Sequence, residues 1–272
     1  MVMSMNLTGV AETLMLPLYL RAREAQRREA IIADKKSLEV VRQLDYDFTW
    51  IDQLPGVMSS QVAAAVRTEI FDDVTRAFLR QHPAGTIVNL GAGLCTRFHR
   101  LDNGQVSWFE LDFAPVIELR RRLLPHTERH VALACSALDF TWLEAVKQLQ
   151  PEDGSVLFIA EGLLYYLELT TVKQLLITLR QNFTQGELVF DAAGPTLIKR
   201  INRGQLSKRF NTAVHWGVKD FHEVEQWCSG LHFLESWSYL DRHKNRWGLM
   251  NFIHWIPPLK KQLWRIAHFR FG

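Results

Sequence analysis

The stretch Thr86-Ile-Val-Asn-Leu-Gly-Ala-Gly-Leu-Cys-Thr96 decides how the rest of the chain reads. A β-branched and apolar run meets Gly91 and Gly93, and a second such run, Val106-Ser-Trp-Phe-Glu-Leu-Asp112, follows after room for one short helix. Strand, glycine turn, helix and a strand ending in an acid is how an α/β fold grips an adenosine-bearing ligand. Twenty-one positions separate Gly91 from Asp112, the spacing at which a carboxylate meets ribose hydroxyls. The third glycine of a G-x-G-x-x-G fingerprint falls at position 96, where this chain has Thr96. That glycine serves close helix–strand packing beneath a pyrophosphate, so its absence disfavours a dinucleotide. S-adenosylmethionine has no phosphate to cradle and is the expected cofactor.

Outward from this turn the pattern alternates. Strand candidates fall at 86–91, 106–111, 129–134, 155–160 and 186–191, with helical stretches near 94–102, 114–124, 139–149 and 168–182. Such alternation predicts a parallel sheet covered on both faces. Asp220-Phe-His-Glu223 reads as a capping box for a helix ending near Gly230. Then the alternation breaks: Phe233 to Leu240 and Trp247 to Ile256 read as two strands joined by the polar turn 241–246. A hairpin there makes the last strand antiparallel. The expected fold is therefore α/β, a Rossmann-like class I S-adenosylmethionine-dependent methyltransferase with a seven-stranded sheet, not an all-parallel dehydrogenase. Upstream, 8–82 reads as helical, with Leu38, Val41 and Leu44 about one turn apart. Ser59 or Ser60 is the expected cap of a longer helix through Val62, Val66, Ile70, Val74 and Phe78. The expected division is an N-terminal helical cover, 1–84, and a methyltransferase core, 85–272, with a substrate-side insertion near 195–216.

Composition excludes several classes. A hydrophobic content of 47% with 22% charged residues describes a folded chain, and a formal charge of +3 leaves no nucleic-acid footprint. Cys95, Cys135 and Cys228 lack paired or zinc-like spacing and read as reduced thiols. Glu12 interrupts the first apolar stretch, and no run of about eighteen apolar residues crosses a bilayer, so a cytoplasmic protein is expected. His126 and His130 flank a loop-to-strand boundary and are not expected to hold a metal. Arg120-Arg-Arg122 reads as a solvated helix face, and the basic aromatic tail from Lys260 to Phe269 as a docked terminal helix.

Longer segments carry a resemblance. They are Thr13-Leu-Met-Leu-Pro-Leu-Tyr19 with Arg21-Ala-Arg-Glu24, Val66-Arg-Thr68, Asn89 to Arg97, Trp108-Phe-Glu-Leu-Asp-Phe113 with Val116 to Leu124, and Ile159-Ala-Glu-Gly-Leu-Leu-Tyr-Tyr-Leu167. In this order they resemble the leucine carboxyl methyltransferase family, most of all its bacterial, tetracenomycin-type polyketide O-methyltransferase branch. The resemblance implies that Arg67 pairs with the methionyl carboxylate, that Gly91 and Gly93 admit the methionine portion, and that Asp112 accepts from the ribose. Glu110 is the alternative ribose group, or else a salt-bridge partner. Glu161 is implied near the positively charged methionine portion, and Tyr166, or its neighbour Tyr165, in the acceptor pocket. Two departures stand out. Where the family has Asp-Leu-Arg-Asp, this chain reads Ser136-Ala137-Leu138-Asp139, which leaves Ser136 and Ala137 at the adenine and Asp139 as a helix cap; and Cys95 replaces a common Asp.

Methyl transfer from a sulfonium asks the protein mainly to align nucleophile, carbon and sulfur. A carboxylate, with a pKa around 4, needs no base, whereas a phenol near 10 benefits from one. No histidine sits in a motif, which favours a small-molecule carboxyl acceptor, with Arg200 or Arg203 of the basic insertion expected to hold its charge. The alternatives are a methyltransferase acting on a protein C-terminus and a non-catalytic S-adenosylmethionine-binding protein.

Overall fold

The structure is a computed structural model that describes residues 7–149, 154–248, 250, 252 and 256–272. Its centre is a seven-stranded sheet of β1 (Thr86–Leu90), β2 (Ser107–Asp112), β3 (His130–Ala134), β4 (Val156–Ala160), β5 (Gly186–Ala192), β6 (Leu231–Ser238) and β7 (Arg265–Phe271), in the order β3-β2-β1-β4-β5-β7-β6. The first five strands are mutually parallel, and β7 runs antiparallel to both β5 and β6. Every residue of β1 and β4 is buried, which is why these runs are apolar throughout rather than alternating. One sheet face packs Val88, Phe109, Phe158 and Phe190 on Val172, Leu175 and Leu179 of the Leu169–Asn182 helix. The other packs Ile87, Trp108, Leu157 and Val189 on Val66, Ile70, Val74 and Phe78 of the Val57–Gln81 helix.

Three expectations need correction. The long helix begins at Val57 after Gly56, not at Ser59 or Ser60. Gly56 takes φ of +74°, a left-handed conformation open to glycine, and caps the helix three residues ahead of Ser59. The capping box at Asp220 does not extend a helix to Gly230: Asp220 Oδ1 accepts from His222 N–H at 3.1 Å, and the helix is only His222–Glu225.

The third correction is the larger. The described residues within 247–256 are not strand, and the remainder of that predicted strand lies outside the described residues. The seventh strand is instead the basic tail, Arg265–Phe271, read from sequence as a helix. Tertiary partners engage its polar side chains. Arg265 Nη2 donates to Val218 O at 2.7 Å and Lys219 O at 3.0 Å, and His268 Nε2 lies 2.8 Å from Glu187 Oε2. Ile266 and Ala267 between them, and Phe269 just beyond, are fully buried.

The N-terminal helices Met15–Ala25 and Lys35–Gln43 lie beyond the carboxyl ends of the strands, with Leu18, Val40 and Ile51 packed on Leu94, Leu119 and Leu123. Buried charge joins them to the core. Asp34 accepts from Arg21 Nε at 3.0 Å, from Thr96 Oγ1 at 2.7 Å and, in the same patch, faces Arg100 Nη1 at 3.0 Å.

Candidate functional site

Parallel strands deliver the ends of β1, β2, β4 and β5 to one edge, and the sheet order reverses between β1 and β4. That reversal is where open α/β sheets bind ligands. A cavity of about 550 Å³ opens there, and Arg67, Gly91, Gly93, Asp112, Ser136, Ala137, Glu161, Tyr165 and Tyr166 all face it.

The turn after β1 has to be glycine. Gly91 takes φ of +65°, and a Cβ there would come within 2.9 Å of Leu163 Cδ1. Gly93, at φ +49°, donates its N–H to Asp112 Oδ2 at 2.7 Å, while Phe113 N–H reaches Oδ1 at 2.7 Å. Burial pushes the Asp112 carboxyl above its usual range, outweighing these two donors. Ser136 spends its hydroxyl oxygen locally, accepting from Leu138 N–H at 3.2 Å. Asp139 accepts from Thr141 N–H at 3.4 Å and Thr141 Oγ1 at 3.0 Å, ahead of the next helix.

Charges alternate at the other end. Glu161 Oε1 lies 2.9 Å from Arg67 Nε and Oε2 accepts from Arg97 Nη2 at 2.7 Å. Burial raises the Glu161 carboxyl, but the two guanidiniums prevail and hold it at about 2. Arg67 Nη1 is 3.4 Å from Asp191 Oδ2, and its Nε is buried without a hydrogen bond of acceptable angle despite the short approach to Glu161. The guanidinium is thus part-engaged and faces the cavity. Asp191, at the end of β5, accepts from Gly162 N–H at 2.7 Å and Tyr239 Oη at 3.0 Å, and burial raises its carboxyl. Arg97 completes the chain of charges through Asp72 Oδ1 at 2.8 Å.

Sequence reasoning gave no role to Arg97, Asp191 or Asp72. Asp191 had the signal applied to Glu161, an acid closing an apolar strand. Arg120 was misread: it is fully buried, while Arg122 is exposed and paired with Glu118. Its spacing of four from Val116 and three from Ile117 and Leu123 puts it on the buried helix face. Glu110 is likewise buried and pairs with Arg120 at 2.9 Å, the salt-bridge role.

Beside Tyr166 the cavity has a largely apolar wall. Leu14, Leu197, Ile201, Leu206, Phe210 and Trp264 line it there. Arg200 and Arg203 do not; both are exposed. On the Pro195–Asn202 helix, Leu197 and Ile201 line the cavity and Ile198 is buried, so the inward face centres on these three and the exposed Arg200 falls at its margin. The structure therefore does not bring either arginine, expected to hold the acceptor's charge, onto the cavity lining.

These groups fit S-adenosylmethionine: a strand-end carboxylate that would accept from a diol, a part-engaged guanidinium that would donate to a carboxylate, and Glu161 that would face an ammonium. Comparison with known proteins agrees. The model of the leucine carboxyl methyltransferase family matches residues 15–180. The tetracenomycin polyketide synthesis O-methyltransferase TcmP of Streptomyces glaucescens is 30% identical over 88% of this chain and 86% of its own. The S-adenosyl-L-methionine-dependent methyltransferase dpfgK of Gibberella zeae is 29% identical over 85% of this chain and 82% of its own. Among solved structures, a DUF574 family protein of Streptomyces avermitilis superposes with a TM-score of 0.63 at 12% identity, covering 96% of this chain and 97% of that one. The magnesium protoporphyrin IX methyltransferase ChlM of Synechocystis PCC 6803, with bound SAH, does so with a TM-score of 0.50 at 11% identity, over 88% and 94%. The chain belongs to the leucine carboxyl methyltransferase family and is an S-adenosylmethionine-dependent methyltransferase.

Proposed function

We propose that the chain forms a methyl ester on a carboxylate of a small, largely apolar molecule, one resembling a polyketide. The observation that carries this reading is the commitment of the acids at the cavity. Glu161, held at about 2 between Arg67 and Arg97, stays ionised and is a poor proton acceptor at neutral pH. Asp112 is occupied by the Gly93 and Phe113 N–H groups. Tyr165 and Tyr166 are raised by burial and stay protonated, so they donate hydrogen bonds rather than remove protons. His215, the histidine nearest in sequence to the lining residue Val214, is 2.6 Å from Glu168 through Nδ1 and does not line the cavity. Among the described residues, then, the lining suits an acceptor that arrives ionised, as a carboxylate does at neutral pH.

Bound S-adenosylmethionine supplies a methyl group already activated by its sulfonium. The chain's own residues align the acceptor and exclude water. The apolar wall of Leu197, Ile201, Leu206 and Phe210 supports the small-molecule reading, as does the kinship to TcmP, whose name places it in polyketide synthesis. The proposed division of labour assigns the 195–216 insertion and the N-terminal helices to the acceptor side.

The test is incubation of purified protein with isotopically labelled methyl donor and matched panels of aromatic carboxylic acids and phenols. A labelled product released by mild base is the expected ester. A base-stable ether formed with phenols alone would overturn the reading.

A further inference from the structure

Beneath the glycine turn lies an ion pair with no place in the chemistry above. Arg120 and Glu110 are both fully buried, with Nη2 2.9 Å from Oε1. Glu110 also accepts from Asn89 Nδ2 at 2.7 Å and faces His130 Nε2 at 3.3 Å, so its anchors come from β1 and β3 as well. Arg120 turns its other arm upward: Nη1 donates to Gly93 O at 2.8 Å and to Cys95 O at 3.0 Å. These two carbonyls belong to the same turn whose Gly93 N–H holds Asp112.

We infer that Arg120 is a positioning residue for the cofactor seat, drawing the Gly93 and Cys95 carbonyls toward the sheet so that the Gly93 N–H stays aimed at Asp112. The inference deepens the reading of Asp112 as the ribose acceptor and rests on it. Two physical points favour positioning over simple stabilisation. A buried ion pair is a weak source of stability, because desolvation of both ions offsets their attraction. The Arg120 guanidinium donates to two divergent carbonyls through one arm while the other faces the Glu110 carboxylate as a charge, a geometry that an apolar residue does not reproduce and an ammonium reproduces only in part.

The point about stability makes the role separable from folding. Arg120→Met alone strands Glu110 as an uncompensated buried charge and is expected to lower Tm. The paired Glu110→Met/Arg120→Met variant removes both charges, leaves only neutral groups without these partners, and is expected to melt above Arg120→Met. Its affinity for S-adenosylhomocysteine, measured by titration calorimetry, is expected to fall on the order of tenfold. Arg120→Lys, which keeps the charge and loses the fork, is expected to bind with intermediate affinity, and it serves as the reading should the pair fail to fold.

Coupling to Asp112 supplies the readout that a merely structural role would not move. In an Asp112→Ala background, removing Arg120 and Glu110 is expected to cost little further affinity, because the effect passes through that carboxylate. Wild-type affinity in the paired variant or in Arg120→Lys overturns the inference, as do losses that add in full to that of Asp112→Ala. Wild-type affinity in Asp112→Ala itself overturns the ribose reading and this inference with it. The measurement concerns cofactor binding only, so the identity of the methylated product does not bear on it.

Discussion

Glu161 stands between Arg67 and Arg97, and its titration reports on whether that cluster is intact. Its ordinary value is 4.5 and its folded value is about 2. A carboxyl depressed on folding contributes stability that is complete above the unfolded value and is lost as pH falls through the folded one. Acid unfolding is therefore expected to steepen between pH 4.5 and about 2, and Glu161→Gln is expected to flatten that limb in thermal melts. An unchanged acid limb in the variant would show that the two guanidiniums do not hold the carboxylate. Asp112 and Asp191 shift the opposite way, raised by burial with fewer cations at hand. Three acids at the ends of three parallel strands thus differ through their neighbours, not their type. His99 and His126, each lowered by burial to about 4, stay neutral in the fold and add a separate acid-sensitive window below 6.5.

At the scale of elements, the unexpected member is β7. It sits between β5 and β6, hydrogen-bonded to both, and leaves β6 as the edge strand. Phe269 is fully buried, stacked on Phe190 at 5.4 Å and edge-on to Phe221 and Phe233. Phe269→Ala is expected to cost about 3–5 kcal/mol in urea unfolding, the usual loss for a large buried aromatic. A cost below about 1 kcal/mol would mean that the site collapses without a cavity or that the strand does not occupy the sheet interior. The segment between β6 and β7 is used as well as spanned. Leu240, Trp247, Leu263 and Trp264 reach the cavity from it. Arg246 grips the buried Glu24 of the Met15–Ala25 helix through both arms, at 3.1 and 2.9 Å. Arg242 and His243 meet Glu69 of the Val57–Gln81 helix, each within 3.1 Å. The cavity walls from opposite ends of the chain are thereby tied to each other.

Over the whole molecule, ligand binding and folding share this architecture, because the cavity draws on residues from Val10 to Trp264. S-adenosylhomocysteine at 100 times its dissociation constant is expected to add about 2.7 kcal/mol to stability, read as a rise in Tm. The absence of any rise would contradict a preformed nucleoside seat. Much of this was legible along the chain. The five parallel strands, the glycine turn and the acids at Asp112 and Glu161 follow from apolar runs, positive-φ positions and strand-end residues, all signals written within a few neighbouring residues. A strand order with an antiparallel last member followed from the late break in alternation, although the strand assigned to that role was wrong. Tertiary structure alone decided the rest. Arg265 and His268 disguise a buried strand until Val218, Lys219 and Glu187 satisfy them. Arg120 reads as solvated until Glu110 and the turn carbonyls enclose it, whereas Arg200 reads as a ligand until its helix turns Leu197 inward. Local pattern sets where strands and turns form, because it acts through short-range geometry and hydrophobicity. The environment of a charge depends on partners distant in sequence, and only the folded chain brings those partners together.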